Sequence, residues 1–320
     1  MNLLLNHTRY ILVFLFISWS LNAQVALPTF QATHYAGSGL YSFSSHTFTN
    51  CGATGKNGPT LSNCTSAYSP SWTDNTNYFN VPSNAGIQYW TVPSTGSYQI
   101  EVWGAQGGRG GVDDPIVEGG SGAKIRGTIS LTQGTVMKIL VGQKGLGGGN
   151  MKGGGGGGGS FVATDSNSPL IAAGGGGGGS YHSTHPPGEP SRIGGTGNIT
   201  LSSSTTAGSA YNASGGAGFI SNSVAGTGGG IAISFTNGGT GATGVSNHDG
   251  GFGGGGGGSS SWPSGGGGGG YQGGNASRGS WSAATGQSKG GYSYNSGTDK
   301  ADSSTLGYNS DQGKVIITKL

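Results

Sequence analysis

The chain has 320 residues, of which 74 are glycine and only 8% are charged. That is too little charge for a typical disordered tail and too much glycine for an ordinary globular domain. The glycines come in blocks and not in a Gly-X-Y period, which excludes collagen, and a formal net charge of +3 without a basic patch gives no footing for a nucleic-acid partner.

Residues 1–9 place Arg9 ahead of the apolar run 10–19 (YILVFLFISW), which Ser20-Leu21-Asn22-Ala23 follows. This is the layout of a secretory signal peptide over 1–23, cleaved after Ala23. The apolar run is about half the ~20 residues a bilayer-spanning helix needs, and no later stretch is apolar enough to span. A secreted or surface-associated protein without a transmembrane segment is expected, with a lead segment at 24–47 and the main domain at 48–320.

Cys51 and Cys64 are the only cysteines. In an exported chain such a close pair predicts a disulfide, closing a loop rich in turn formers (Gly52, Gly55, Gly58, Pro59) and worth ~3 kcal/mol by loop closure. From Ile87 the pattern turns to strands. IQYWTVP and SYQIEVW, bounded by Pro93, Gly96 and Gly104, predict a pair of strands joined by a tight turn, with Tyr98, Ile100 and Val102 on one face. AKIRGTISL and TVMKILV, joined by Thr132-Gln133-Gly134, predict two more, and the four are expected to nucleate the sheet.

The glycine run at 153–159 then enters a hairpin, with Phe161 to Ala163 and Leu170 to Ala173 flanking the turn-forming 165–168, and a second run at 174–179 leaves it. Glycine-rich tracts are by default flexible linkers. Runs interleaved with strands in this way point instead to ordered neighbours, extended three-residue-per-turn helices of the polyproline II type. Such helices make no internal hydrogen bonds, so their backbone groups must pair with adjacent helices. Residues 180–246 are Ser/Thr/Gly-rich connections or a mobile region, with Ile231 to Phe235 a possible strand. At 250–271 two runs of six glycines flank Ser259 to Ser264 and are expected to lie side by side. GKVIITKL, at 313–320, predicts a last strand returning to the sheet and closing a complete unit.

Signals for chemistry are weak. Gly286-Gln287-Ser288-Lys289-Gly290 fits G-x-S-x-G, but no strand precedes Ser288 and no helix follows it, as a hydrolase nucleophile requires. His182 and His185, with only Glu189 near, read as a solvated loop and not a metal site. Asp113, Asp114 and Glu118 could hold calcium, but an exposed acidic loop between strands is the simpler reading. No catalytic residue, cofactor or metal is expected.

Several segments carry a resemblance: FTNCGATGKNGPT...C..AY, GIQYWTVPSTGSYQIEVWGAQGGRGG, KILVGQKG, GGGGGGGSFV, PLIAAGGGGGG, GGFGGGGGGSSSWPSGGGGGGYQGGNAS and GKVIITKL. In this order, from about Phe48 to Leu320, they resemble the glycine-rich extracellular domain of the anaplastic lymphoma kinase and leukocyte tyrosine kinase receptors. The resemblance implies a mainly β fold, an antiparallel tumour-necrosis-factor-like β-sandwich with an inserted bundle of polyglycine II helices, and, in the receptors, binding of small cytokines. Kinase motifs are absent. The receptors' later cysteines are also absent, and Ser259 to Ser261 stand in their region.

The sequence therefore predicts a non-enzymatic binding or adhesion module for a protein or glycan ligand. Its contacts would lie at bundle tips carrying Trp262, Pro263, Tyr271 and Trp281, unless these aromatics pack over the glycine helices. A structural or ice-binding polyglycine protein is the alternative.

Overall fold

A computed structural model describes residues 39–82, 86–111, 116–147, 152–180, 196–260, 264–277 and 287–320. The signal peptide expected at 1–23 and most of the lead segment lie outside them. The strands are β1 (Ser45–Phe48), β2 (Phe79–Asn80), β3 (Gln88–Thr91), β4 (Gly96–Trp103), β5 (Gly110–Gly111), β6 (Ile116–Val117) and β7 (Lys124–Leu131). They continue with β8 (Val136–Leu140), β9 (Ser160–Thr164), β10 (Pro169–Ala173), β11 (Asn198–Leu201), β12 (Tyr292–Asn295), β13 (Thr298–Asp302) and β14 (Lys314–Lys319). Among the described residues two short α-helices, α1 (Leu61–Ala67) and α2 (Ser303–Leu306), and a few 3-10 turns accompany these strands in a mainly β fold. The domain boundary drawn at Phe48 falls inside the body. Ser45–Phe48 pairs with the last strand, and Tyr41 and Phe43 pack on Trp72 and Trp90.

One sheet has the order β1-β14-β4-β7-β13 and another the order β11-β12-β10-β9-β8-β3-β2; β5 and β6 form a ribbon of their own. The ladders are antiparallel except for β11 beside β12, so the larger sheet is mixed. The alternation in β4 works as read: Tyr98, Ile100 and Val102 are fully buried. They meet Trp90, Ile139, Val162 and Ile171 of the other sheet in one shared core.

The expected pairing of the first two strands does not occur. β3 pairs with β2 and β8, and β4 with β14 and β7, so the chain changes sheets between β3 and β4 and again between β7 and β8. The reason lies in the core: Trp90 and Tyr98 face each other edge-on from opposite sheets, with ring centroids 5.9 Å apart. The Tyr98 hydroxyl donates to the Ser94 carbonyl at 2.6 Å and fixes the crossover.

The hairpin β9–β10 forms as predicted, but its strands read SFVAT and PLIAA without alternation because both faces are covered. Val162 and Ile171 face the shared core, while Phe161, Ala163 and Ala172 face a second cluster with Phe219, Phe235, Phe252 and Tyr271. Those four aromatics come from the glycine-rich half of the chain.

Strands run directly into glycine segments: β4, β8 and β10 continue as 104–108, 141–146 and 174–179, while 119–123, 153–159 and 288–291 continue into β7, β9 and β12. Within 153–159 no N–H donates to its own segment. Gly154 and Gly157 donate to Gly179 and Gly176; Gly155 and Gly158 to Leu146 and Gln143; and Gly153, Gly156 and Gly159 to Ser259, Gly256 and Gly253. The partner changes with each residue and recurs at every third, so the segment donates to three neighbours, and its carbonyls accept from three more: Gly155 and Gly158 from Gly108 and Ala105, Gly154 and Gly157 from Gly266 and Gly269, and Gly156 from Gly251. That is why a whole run must be glycine. A Cβ on Gly154, Gly156 or Gly157 would stand 2.0–2.3 Å from a neighbouring carbonyl oxygen.

The same spacing reaches beyond the long runs. Gly104 and Gly107 donate to Ala123 and Gly120, Ser214 and Ala217 to Gly257 and Gly254, and Gly230 and Ile233 to Thr243 and Thr240. Parts of 196–246 are thus built into the packed body and are neither loose connections nor a mobile region. Ile231 to Phe235 is not a strand: Ile233 continues the three-residue pattern begun at Gly230, and Phe235 opens a single 3-10 turn, Phe235–Asn237, with its ring on Phe219 and Phe161. The runs at 253–258 and 265–270 are neighbours as expected, through Gly256 N–H to Gly267 at 2.8 Å. The chain also reverses at Phe252, where Gly253 and Gly254 take positive φ (+100° and +80°), so residues before Phe252 form a further segment of the packing.

Candidate binding surface

The aromatic cluster packs at the strand-proximal ends of the glycine segments, and their other ends are the distal ends. At that distal end Gly111 N–H donates to Lys152 at 2.9 Å, Ser259 N–H to Ser264 at 3.0 Å, and Gly265 N–H to the Ser180 and Ser277 hydroxyls at 3.0 and 2.8 Å. Short polar side chains suit the place, because serine hydroxyls satisfy backbone N–H groups that have run out of neighbouring segments.

Beside this end lies a cleft of about 370 Å³ lined by Thr54, Gln106, Arg109, Glu118, Lys144 and Gln312. Arg109 Nε and Glu118 Oε1 are 3.1 Å apart, both about half exposed, and Lys144 N–H donates to the Gln312 side chain at 2.8 Å. Such an exposed pair contributes little to stability.

Cys51 and Cys64 form the predicted disulfide. The loop it closes reaches the glycine segments: Phe252 N–H donates to Gly55, Gly241 N–H to Lys56, and Gln143 Nε2 to Asn57 at 3.0 Å. Lys56 adds an ion pair to Asp249 at 3.2 Å.

Tyr271 is not at the tip. Its run returns toward the strands, and the side chain, 8% exposed, stacks on Tyr294 at 4.3 Å and packs on Phe219. Of its two expected roles, the structure gives packing. Trp262, Pro263 and Trp281 lie outside the described residues, as do His182, His185, Glu189, Asp113 and Asp114; Glu118 pairs with Arg109 as above. Ser288 is fully buried and its hydroxyl donates to the Gly178 carbonyl, so it is packed between glycine segments. Among the described residues no group of three or more His, Cys, Asp or Glu is placed to hold a metal, and no helix is long and apolar enough to cross a membrane.

One residue that the sequence did not single out is His46. Its ring stands edge-on to Phe48, Tyr68 and Trp72 at 4.6, 4.6 and 4.9 Å, and its Nε2 has no hydrogen-bond partner. Burial lowers its pKa to about 4, holding it neutral. The only signal in the sequence was its position two residues before Phe48, on the inward face of β1.

No family model matches the chain. It is similar to the mouse leukocyte tyrosine kinase receptor, 38% identical over 98 residues, which are 31% of this chain and 11% of the receptor. The aligned part is a small fraction of that receptor, and the similarity is a weak relation to it.

Proposed function

We propose that this protein is a secreted or cell-surface binding module resembling a receptor ectodomain. In this reading the two sheets are a tumour-necrosis-factor-like sandwich, the glycine segments are polyglycine II helices, and the distal loops meet a protein or glycan partner. The observation that carries it is the three-residue recurrence of hydrogen bonds. It fits a helix of three residues per turn without internal bonds, and a lattice of such helices makes a rigid platform for a contact surface. The partial similarity to a tyrosine kinase receptor and the disulfide favour an extracellular module. In this reading the module is non-enzymatic, and the burial of Ser288 between glycine segments supports that part of the reading.

Arrays of extracellular proteins and glycans probed with the mature chain test this. The Trp262→Ala and Trp281→Ala chains should lose the captured partner while melting at the wild-type temperature. Retention of that partner by both variants would reject the loops as the contact surface. Ser288→Ala should leave any hydrolysis in the sample unchanged. Thermal hysteresis at high protein concentration, without any captured partner, would favour the ice-binding alternative.

A further inference from the structure

We propose that a second cleft, beside strands β11 and β12, binds an acidic saccharide of the uronate type, with a sugar ring stacked on Tyr308 and its carboxylate held by Lys289. The cleft measures about 320 Å³, and its lining includes Tyr292, Tyr308, Asn198, Gln287 and Lys289. It shares no residue with the Arg109–Glu118 cleft, so the inference goes beyond the proposed function of the distal end.

Tyr308 is 43% exposed, yet its backbone is fixed. The next residue, Asn309, is buried and its Nδ2 donates to the carbonyls of Gly104, Asp311 and Gln312 at 2.8, 3.0 and 2.8 Å. An aromatic ring held at the surface by a buried anchor is a preformed platform. A pyranose presents an apolar C–H face to such a ring and a rim of hydroxyls to amides around it. Tyr292 is held equally firmly, its N–H donating to Gln272 and its carbonyl accepting from Tyr271, both at 2.8 Å.

The polar rim has the complementary chemistry. Asn198 Oδ1 already accepts from Thr200 N–H at 2.9 Å, which leaves its amide N–H groups as donors. Buried Ser288, between Gln287 and Lys289, ties that stretch to the neighbouring glycine segment. Among the described residues no carboxylate lines the cleft and Lys289 has no ion-pair partner. An ammonium without a counterion beside an aromatic platform and amide donors selects a sugar bearing a carboxylate over a neutral one.

Calorimetric titration of the intact chain with tetragalacturonate at low ionic strength tests this, with cellotetraose as the neutral control. Saturable binding is expected, weakened roughly tenfold or more by Tyr308→Ala, while Lys289→Gln reduces the affinity to that for cellotetraose. Tyr308 and Lys289 are both exposed, so the variants should keep the wild-type circular dichroism and melting temperature. No heat at millimolar tetragalacturonate, or an affinity that neither Tyr308→Ala nor Lys289→Gln alters, would overturn the proposal.

Discussion

A single histidine gives the fold a pH dependence. His46 is enclosed by Phe48, Tyr68 and Trp72, and its pKa falls to about 4 in the folded chain against 6.5 when unfolded. The folded state therefore disfavours the proton. Its stability is fully present above pH 6.5 and declines as pH falls from 6.5 towards 4, by up to on the order of 2–3 kcal/mol. Denaturant melts across that range should show the decline, and His46→Phe should flatten it; an equal decline in the variant would assign it to other groups. Glycines divide in the same physical way. A Cβ at Gly157 would lie 2.3 Å from the Ala105 carbonyl oxygen, whereas at Gly96 the nearest atom is the flexible end of Lys319 at 3.7 Å. Gly157→Ala should cost roughly 3 kcal/mol or abolish folding, and Gly96→Ala should be neutral to within about 1 kcal/mol, as read from urea midpoints.

Elements were legible where the chemistry is local. The alternation of Tyr98, Ile100 and Val102, the turn at 165–168 and the spacing of Cys51 and Cys64 each act through near neighbours, and strand, hairpin and disulfide follow. What the sequence hid is decided by distant partners. Nothing within 87–103 says that Trp90 and Tyr98 must face one another from different sheets, so the short turn between them reads as a hairpin. Tyr271 reads as a tip residue until the antiparallel run of 265–270 brings it back to Tyr294. The Cys51–Cys64 loop shows the same gap: its pairing is local, but its role is to join the sheets to the glycine segments through Gly55, Lys56 and Asn57. Replacing both cysteines by serine should lower stability by about 3 kcal/mol. Amide exchange should then rise first at Phe252 and Gly241, the donors to that loop, and a uniform rise across the molecule would contradict this role.

At the scale of the whole molecule, glycine is used for contact and not for freedom. Each residue ordered costs about 1–2 kcal/mol of backbone entropy, and a hydrogen bond returns only about 1 kcal/mol net, so no glycine segment could order alone. The strands set the segments out at one end, and the aromatic cluster of Phe161, Phe219, Phe235 and Tyr271 fills the space beneath them. The sequence showed that the runs alternate with strands. It did not show that 104–108, 214–217 or 230–243 join them, because those stretches carry side chains wherever a position faces outward or into a pocket. Every functional reading above rests on this platform being rigid. Residue-resolved hydrogen exchange of the glycine amides at 153–159 and 265–270, in the intact chain, tests it most directly. Protection comparable to that of strand β4 is the predicted result, and exchange at the rate of an unstructured glycine chain would contradict it.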